Sequence, residues 1–310
     1  MNIKKVTFLA VITNIFLAVI KIITGILFNS IAILADGIDS STDIITSLVT
    51  FFATRLSVKP PDKLHPYGHS KIENIGAKII SFVIFYAGIS LFIESTKKFV
   101  TKEYFQIIGI LPLVVTLISI TFKTILFLIE YTYGKKYNSS SLVAEALNMR
   151  NDILLSSLVF LGVFLNKLGL EWMDPLVGMV MSAIIIKVAF EIFTENAYVL
   201  LDGITPKDTW IYDTIINVCN NCNGIKNPHK IRVRKIGNVY DINMDIEVDP
   251  NMTVKESHNL TKCLKEKLIK ITNNKIYDVV IHIEPFENKE NEPYGIGGKN
   301  EENHNHSIND

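Results

Sequence analysis

The chain has 310 residues, of which 48% are hydrophobic, and its 31 basic and 31 acidic residues leave a formal net charge of zero. The neutral total by itself says nothing about nucleic acid, but the sequence has no basic stripe and no interleaving of aromatic and basic residues, so we predict no nucleic-acid partner. Three cysteines are too few for a disulfide framework. The neutral total hides a division near residue 200, because apolar residues dominate before it and Lys, Asn, Asp and Glu interrupt short apolar runs after it.

Six apolar segments precede that division, and each reaches the length of about 20 residues that a membrane-spanning helix requires. They cover residues 6–28, 31–54, 77–97, 106–131, 141–165 and 175–200. We therefore predict a transmembrane domain of six helices in residues 1–205. A soluble all-α protein is the alternative, but six such segments are too many and too long for it.

The start of the chain and the charges of the loops indicate the orientation of these helices. Lys4 and Lys5 lead directly into the first segment without a small-residue cleavage pattern, which favours a retained helix over a signal peptide. With a cytosolic N-terminus, the inner loops hold eight Lys and Arg residues and the outer loops hold four. Because cytosolic loops are enriched in these residues, we expect both termini inside.

Residues 206–287 are predicted to form a small soluble α+β domain in the order α-β-β-α-β, with helices on one face of the sheet. The predicted elements are a helix over 208–220, strands over 230–235, 239–248 and 276–285, and a helix from a Thr253–Glu256 capping box to residue 271. In the second strand, alternation places the apolar residues between Tyr240 and Val248 on one face. The polar tail of residues 288–310, rich in Gly and Asn, is predicted to be disordered, and no role is assigned to its two histidines, His304 and His306.

Two of the apolar segments contain acids, although each charge at the centre of a bilayer costs roughly 3 kcal/mol. Asp39 and Asp43 lie in the second segment, and Asn148 and Asp152 lie in the fifth. Residues four apart share one face of a helix, so each pair presents its oxygen atoms together. Because carboxylate and amide oxygens bind divalent cations, we predict a transport site formed by these four residues. Hydrogen bonding between helices is the alternative, but it accounts for an asparagine more readily than for three acids.

Proton exchange would follow from such a site. Metal loading should expel protons from the carboxylates, and metal release should take them back, which is the linkage that a metal/proton exchanger needs. Asp36 and Glu145 lie one turn before the two pairs. They are interpreted either as groups near the site or along the ion pathway, or as residues that are merely exposed.

Two further groups have the character of metal ligands outside the membrane segments. Asp62, His65 and His69 lie between the second and third segments, although histidines in such a loop are often merely solvated. In the soluble domain, His282 and Glu284 share one face of the last strand, because side chains alternate along a strand. Candidate partners elsewhere in this domain, which the sequence alone does not bring beside them, are His229, Asp245 and His258.

Cys219 and Cys222 form a Cys-x-x-Cys motif in the soluble region. Because no second pair follows, reduced and half-buried thiols on one helical turn are favoured over a structural zinc site. All three cysteines lie in this region, which is consistent with a reducing cytosol.

The chain resembles the cation diffusion facilitator family, which includes bacterial exporters of zinc, iron and manganese, over nearly its whole length to about residue 287. The resemblance depends on the acid pair of the second segment, on the polar pair of the fifth, on His65-Pro66-Tyr67-Gly68-His69 followed by Lys71 and Glu73, and on Ile281-His282-Ile283-Glu284-Pro285. It implies a homodimer with six helices per subunit, a cytosolic ferredoxin-like domain, and proton-driven export of a divalent metal ion.

The resemblance also implies roles for the three groups of candidate ligands. Asp39, Asp43, Asn148 and Asp152 match the family's transport site, and Asp62, His65 and His69 match a loop site found in some members. His229, Asp245, His258, His282 and Glu284 fall where ligands of the cytosolic domain usually lie, and metal bound there is thought to tighten the dimer and favour transport.

One departure from the family pattern bears on the choice of metal. Zinc-selective members usually have a histidine in the transport site, often where this sequence has Asn148. An all-oxygen site is harder and suits Mn²⁺ or Fe²⁺ better than Zn²⁺, although it does not exclude Zn²⁺. The sequence leaves open the metal, the proton stoichiometry and the source organism. We expect a plasma membrane location, the inner membrane of a bacterium.

Lys71 and Asp202 lie near the predicted cytosolic ends of the third and sixth segments. An ion pair between them would tie the membrane part to the soluble domain or to the partner subunit. The alternative is a surface pair of no consequence.

Three functions are compatible with these residues. The first is a secondary transporter that exports a divalent metal ion by alternating access in exchange for protons. The second is a membrane-anchored metal sensor whose output is the soluble domain, and the third is a passive cation channel. We find no nucleophile with a base and an orienting partner, and no Gly-rich phosphate loop, so we predict neither an enzyme nor a catalytic cofactor.

Overall fold

The computed structural model describes residues 3–57, 59–137, 139–286 and residue 296. The chain divides into two compact units. One consists of Met1–Phe52 and Gly76–Phe193, and the other of Ala53–Ile75 and Thr194–Asp310.

Six long helices confirm the six predicted segments. They are α1 (Ile3–Leu27), α2 (Ile31–Ser57), α3 (Ile72–Thr101), α4 (Leu111–Lys136), α5 (Ser140–Lys167) and α6 (Met173–Leu200). The largest differences at a helix start are at α3, which begins five residues earlier than predicted, and at α4, which begins five residues later. The late start of α4 follows from Gly109, which adopts a φ of +93°, and from Pro112, which occupies the first turn. Among the described residues, five helices are long and apolar enough to cross a membrane, and α2 falls short because of its embedded aspartates.

Close packing of α1 against α2 places polar side chains of the two helices next to each other. The chain reverses direction at Asn29, whose φ is +53°, and the N-terminus of α2 is capped by Asp174 of α6. The carboxylate of Asp174 accepts hydrogen bonds from Ile31 N (2.9 Å) and from Ser30 Oγ (2.5 Å). A Cβ atom at Gly37 would lie 2.8 Å from Ile22 Cγ1, so only glycine permits this approach of the two helices.

Helices α4 and α5 also approach closely, at Gly134, where a Cβ atom would lie 2.8 Å from Val143 Cγ2. Ser139 caps α5 by accepting a hydrogen bond from Leu142 N. An apolar core then joins α2, α3, α5 and α6 through buried residues such as Ile33, Ile84, Val159 and Met181. This packing turns the polar faces of α2 and α5 toward each other.

The second unit contains the predicted α-β-β-α-β order. After a short 3₁₀ turn (Pro206–Asp208) follow α7 (Trp210–Asn220), β1 (Lys226–Ile236), β2 (Val239–Val248), α8 (Val254–Ile271) and β3 (Ile276–Pro285). The sheet order is β1-β2-β3, with β1 antiparallel and β3 parallel to β2. The predicted capping box of α8 is present, since Thr253 and Glu256 each accept a hydrogen bond from the other's backbone N–H.

The apolar residues of β2 share one face, as the alternation predicted, but acids on its other face are buried as well. Tyr240, Ile242 and Met244 pack into the apolar core as expected. On the opposite face, Asp241 binds Arg234 and Asp245 lies near Lys230, and these partners make burial of a charge tolerable. The predicted disordered tail lies outside the described residues, except for Ile296, whose backbone pairs with Ile231.

Candidate metal sites

The four residues of the predicted transport site lie on two facing helices. Asp39 and Asp43 are on α2, and Asn148 and Asp152 are on α5. The clearest contact between these faces is made by Ser156, one turn after Asp152, whose Oγ donates a hydrogen bond to Asp36 Oδ1 at 3.0 Å. Asp152 is also near enough to Asp39 and Asp43 for their charges to interact. The helices therefore place three acids in one electrostatic environment.

These acids are not drawn together into a tight cage. Among the described residues, two groups have three ligand atoms of His, Cys, Asp or Glu within 4.8 Å of one another, and the acids of α2 and α5 are in neither group. Asp39 and Asp152 are partly buried, whereas Asp43 and Asn148 are exposed. A cation bound by all four residues would have to draw their oxygen atoms closer together.

The prediction did not anticipate a lysine that forms a buried network with Asp36. Lys21 of α1 is fully buried, and its Nζ lies 2.8 Å from Asp36 Oδ2. The same Nζ donates hydrogen bonds to Ser40 Oγ and to Ser156 Oγ, each at 3.2 Å. Asp36 is therefore not exposed, which excludes one of its two interpretations. The network connects α1, α2 and α5 beside the acid pairs.

A second buried lysine reaches the predicted transport site itself. Lys123 of α4 has a side chain only 2% exposed, and its Nζ lies 3.0 Å from Asp152 Oδ2. Its charge also interacts with those of Asp36 and Asp39. Isolated charges within apolar segments are the sequence signal that would have identified both lysines. Their partners were not visible in the sequence, because these lie on other helices.

Two glutamates lie closer to the junction of α4 and α5. Glu130 of α4 is 1% exposed, and its Oε2 has no hydrogen-bond partner among the described residues. Glu145 of α5 is exposed, which was one of the two predictions made for it. It interacts electrostatically with Glu130 and Asp152. Glu130 is not among the residues predicted from the sequence.

The loop residues Asp62, His65 and His69 form one of the two compact ligand groups. Asp62 Oδ1 lies 3.2 Å from His65 Nδ1, and Asp62 Oδ2 lies 3.4 Å from His69 Nε2. Hydrogen bonds from the backbone N–H of His65 and then of Leu64 lower the pKa of the Asp62 carboxyl. The loop therefore holds an ionised carboxylate between two imidazoles, a set of ligands that suits a divalent metal ion.

The second compact group, in the three-stranded sheet, contains His229, Asp245 and Glu284. Strand pairing brings these residues together. His229 of β1 is paired with Asp245 of β2, and Glu284 of β3 is paired with Glu247, which lies two residues after Asp245 on the same face of β2. His229 Nε2 lies 3.2 Å from Glu284 Oε2, and its Nδ1 lies 2.8 Å from the carbonyl oxygen of Asn227. If Nδ1 carries the proton and donates a hydrogen bond to that carbonyl, Nε2 is unprotonated and available to a metal ion.

Two other predicted ligands, His282 and His258, are not members of this compact group. His282 Nε2 is 3.8 Å from Glu284 Oε1, and the His282 side chain is 68% exposed. His258 lies on an exposed part of α8. A lysine that the prediction omitted lies inside the group instead, with Lys230 Nζ 3.2 Å from Asp245 Oδ2 and 3.6 Å from Glu284 Oε1.

The expected ion pair between Lys71 and Asp202 is present, with 2.6 Å between Nζ and Oδ1. Arg234 of β1 lies 3.9 Å from the same Asp202 oxygen and stacks on the ring of Tyr67 at 4.0 Å. These contacts attach the loop that holds the Asp62 group to the strand β1.

The cysteines are free thiols, as predicted, but their placement differs. Cys219 and Cys222 are fully buried rather than half-buried, and Cys222 lies beyond the end of α7, whereas Cys263 is exposed. Burial, with a smaller contribution from Cys222, raises the pKa of the Cys219 thiol to about 12, which makes it a poor thiolate ligand at neutral pH.

Both parts of the chain match known protein families, and similar proteins are known in bacteria. The model of the cation efflux transmembrane domain matches residues 7–201, and that of the cytoplasmic domain of cation efflux proteins matches residues 208–286. The chain is 32% identical to the uncharacterized transporter YdbO of Bacillus subtilis, over 91% of this chain and 95% of that protein. It is 31% identical to the manganese efflux system protein MneS of the same organism, over 88% and 92%. The metal-bound C-terminal domain of the CzcD transporter from Thermotoga maritima is 39% identical and covers 28% of this chain and all of that chain, with a TM-score of 0.27.

Proposed function

Because the chain belongs to the cation diffusion facilitator family of metal efflux transporters, we propose that it exports a divalent metal ion from the cytosol in exchange for protons. The observation that supports this best is the pair of polar helix faces on α2 and α5, where Asp39, Asp43 and Asp152 interact within an apolar helix bundle. Charges at such positions are costly unless they have a partner, and a transported cation is such a partner.

The proposed transport cycle uses the looseness of this site. A divalent ion would draw the oxygen atoms of Asp39, Asp43, Asn148 and Asp152 around itself, and protons would leave the carboxylates as it binds. Alternating access would then expose the site to the other side of the membrane, where protons replace the ion. Both termini are proposed to lie in the cytosol, with the protein in a bacterial inner membrane.

We propose Mn²⁺ as the preferred substrate, ahead of Fe²⁺ and Zn²⁺. Every candidate ligand in the membrane site offers oxygen, and hard oxygen ligands suit Mn²⁺ better than imidazole does. The relative MneS is named as a manganese efflux protein, which agrees with this choice.

The two compact groups outside the membrane helices are proposed as regulatory sites. The Asp62 group and the His229 group each offer nitrogen and oxygen ligands to a divalent ion. Metal at the His229 group would stabilise the cytosolic domain within a homodimer and thereby favour transport.

Flux measurements in proteoliposomes test the export proposal. Under an imposed pH gradient, wild-type protein should move Mn²⁺ faster than Zn²⁺, and Asp39→Asn should lower the flux by at least about 100-fold. Asp278→Asn, which removes a half-buried acid paired with Lys265, is the matched control and should leave the flux unchanged. Flux that ignores the pH gradient would indicate a channel. Metal binding without flux would indicate a sensor, and either result rejects the proposal.

Asn148→His tests the choice of metal in the same vesicles. An imidazole in place of the amide should shift the preference toward Zn²⁺. An unchanged Mn²⁺ to Zn²⁺ ratio would show that geometry, and not ligand type, selects the ion.

A further inference from the structure

Two lysines lie among the acids of the membrane unit, and their two positive charges decide the net charge of this cluster. The polar cluster that includes the proposed site contains four aspartates and two lysines, namely Asp36, Asp39, Asp43, Asp152, Lys21 and Lys123, and the exposed Glu145 lies at its edge, outside the charge count that follows. With every group ionised, the cluster has a formal charge of minus two, which one divalent cation neutralises. Without the lysines the same carboxylates would offer minus four.

The two lysines differ in how firmly they are held. Lys21 has three oxygen partners, on Asp36, Ser40 and Ser156, within 3.2 Å. For Lys123, Asp152 is the one ion-pair partner within the part of the chain that the structure describes. Lys21 therefore belongs to a closed network, whereas Lys123 depends on a single carboxylate.

That carboxylate is itself a proposed ligand of the transported ion. A metal ion binding to Asp152 would meet the ammonium of Lys123 at the same oxygen, so the two positive charges compete. Lys123 is buried and cannot exchange its partner for bulk water, but Asp36 and Asp39 lie within range of its charge. Of these two carboxylates, Asp36 is not a proposed ligand of the ion, so it offers the ammonium an alternative partner when metal takes Asp152.

We propose that Lys123 is the resident counter-cation of the membrane site. It pairs with Asp152 when no metal is bound and, together with Lys21, limits the charge offered to an incoming ion to that of one divalent cation. This inference rests on the proposed export function and adds to it a residue that determines selectivity by valence. Lys123 acts on the ion through Asp152 and through its own charge, not as a ligand.

The inference predicts how ions of different charge behave in a variant without the ammonium. In Lys123→Met, the site offers one more negative charge, so a trivalent ion should bind more tightly. Tb³⁺ should then inhibit Mn²⁺ flux at a concentration lower by about tenfold than in the wild type. The Mn²⁺ concentration for half-maximal flux should also fall, and the maximal flux should fall because the ion leaves more slowly.

Two variants separate this effect from a loss of structure. Lys123→Arg keeps the charge and should keep the Tb³⁺ potency within about twofold of the wild type. Lys187→Met removes a lysine of α6 whose side chain is 75% exposed, and it should leave the Tb³⁺ potency unchanged. If Lys123→Met transports but Tb³⁺ inhibits it no more strongly than the wild type, the inference is overturned.

If Lys123→Met shows no flux, Tb³⁺ luminescence of the full chain in detergent answers the same question. The part of the Tb³⁺ luminescence that is absent in Asp152→Asn is assigned to the membrane site. Tb³⁺ should bind this site more tightly in Lys123→Met than in the wild type. Equal binding overturns the inference. Absence of Mn²⁺ flux in the wild type would instead reject the export proposal, so the two failures are distinguishable.

Discussion

The membrane cluster and the cytosolic cluster contain similar chemical groups, but the fold holds them differently. Each places a lysine against carboxylates, with Lys123 Nζ 3.0 Å from Asp152 and Lys230 Nζ 3.2 Å from Asp245. In the cytosolic sheet, backbone pairing between adjacent strands brings His229, Asp245 and Glu284 within 4.8 Å. In the membrane unit, the acids lie on the separate helices α2 and α5, and no backbone hydrogen bond connects these helices among the residues that the structure describes. The strands therefore hold the candidate ligands of the sheet close together, whereas the helices leave the acids of the membrane unit further apart.

This difference suits the functions proposed for the two regions. A transport site has to release its ion to the opposite side, so ligands on helices that move relative to one another are an advantage. A regulatory site has to respond to metal concentration, so ligands fixed by a sheet are appropriate. The lysine in each region supplies a positive charge when metal is absent.

The largest expected effect concerns the closed network of the membrane unit. Lys21→Met leaves the charge of Asp36 buried without its partner, which should destabilise the protein by about 3–5 kcal/mol. The measurement is the melting temperature in one detergent, with Lys187→Met as the exposed control. Adding Asp36→Asn to Lys21→Met should recover much of the loss, because the unpaired charge is then removed. A double variant as unstable as the single one would contradict the ion-pair explanation.

A smaller effect is expected when the lysine of the cytosolic cluster is removed. Lys230→Met takes away the ammonium next to Asp245 and Glu284, so Mn²⁺ should bind this cluster about tenfold more tightly. Binding is measured on the full chain in an Asp39→Asn background, in which the membrane site is weakened. Lys265→Met, which removes a more exposed lysine of α8, is the control. Weaker binding would mean that Lys230 orders the ligands and does not compete with the metal.

The smallest expected effect concerns Asp208, an acid that hydrogen-bond donors already satisfy. Burial alone would raise its pKa, but hydrogen bonds from Lys235, Tyr240 and Thr205 outweigh burial and hold the pKa below its ordinary value. Its stabilisation, about 1 kcal/mol, is therefore present above the unfolded-state pKa of about 4 and is lost as pH falls through the lower folded-state pKa.

Melting curves of the wild type and of Asp208→Asn at several pH values test this expectation. Asp208→Asn should be less stable at pH 7, and the difference should shrink as the pH falls below about 4. Mn²⁺ should not change the difference, because no metal ion is proposed at Asp208. A difference that is the same at pH 3 and pH 7 would show that the carboxylate charge is not what stabilises this position.

Much of the fold was predictable because its signals are local. Apolar runs of about 20 residues predicted six helices, and alternation with a capping box predicted the bounds of β2, α8 and β3. Sequence could not predict that both faces of β2 are buried, because the acids on its second face depend on partners in another strand, such as Arg234 for Asp241.

The sequence by itself determined which ligand types are present and on which elements they lie, since residue spacing decides which side chains share a face of one helix or strand. Only the tertiary structure decided which charges meet across elements. It placed Lys21 on Asp36, Lys123 on Asp152, and Lys230 on Asp245, while His258 stands apart. The physical reason is that periodicity orients side chains within an element, whereas a buried charge finds its partner through the packing of several elements.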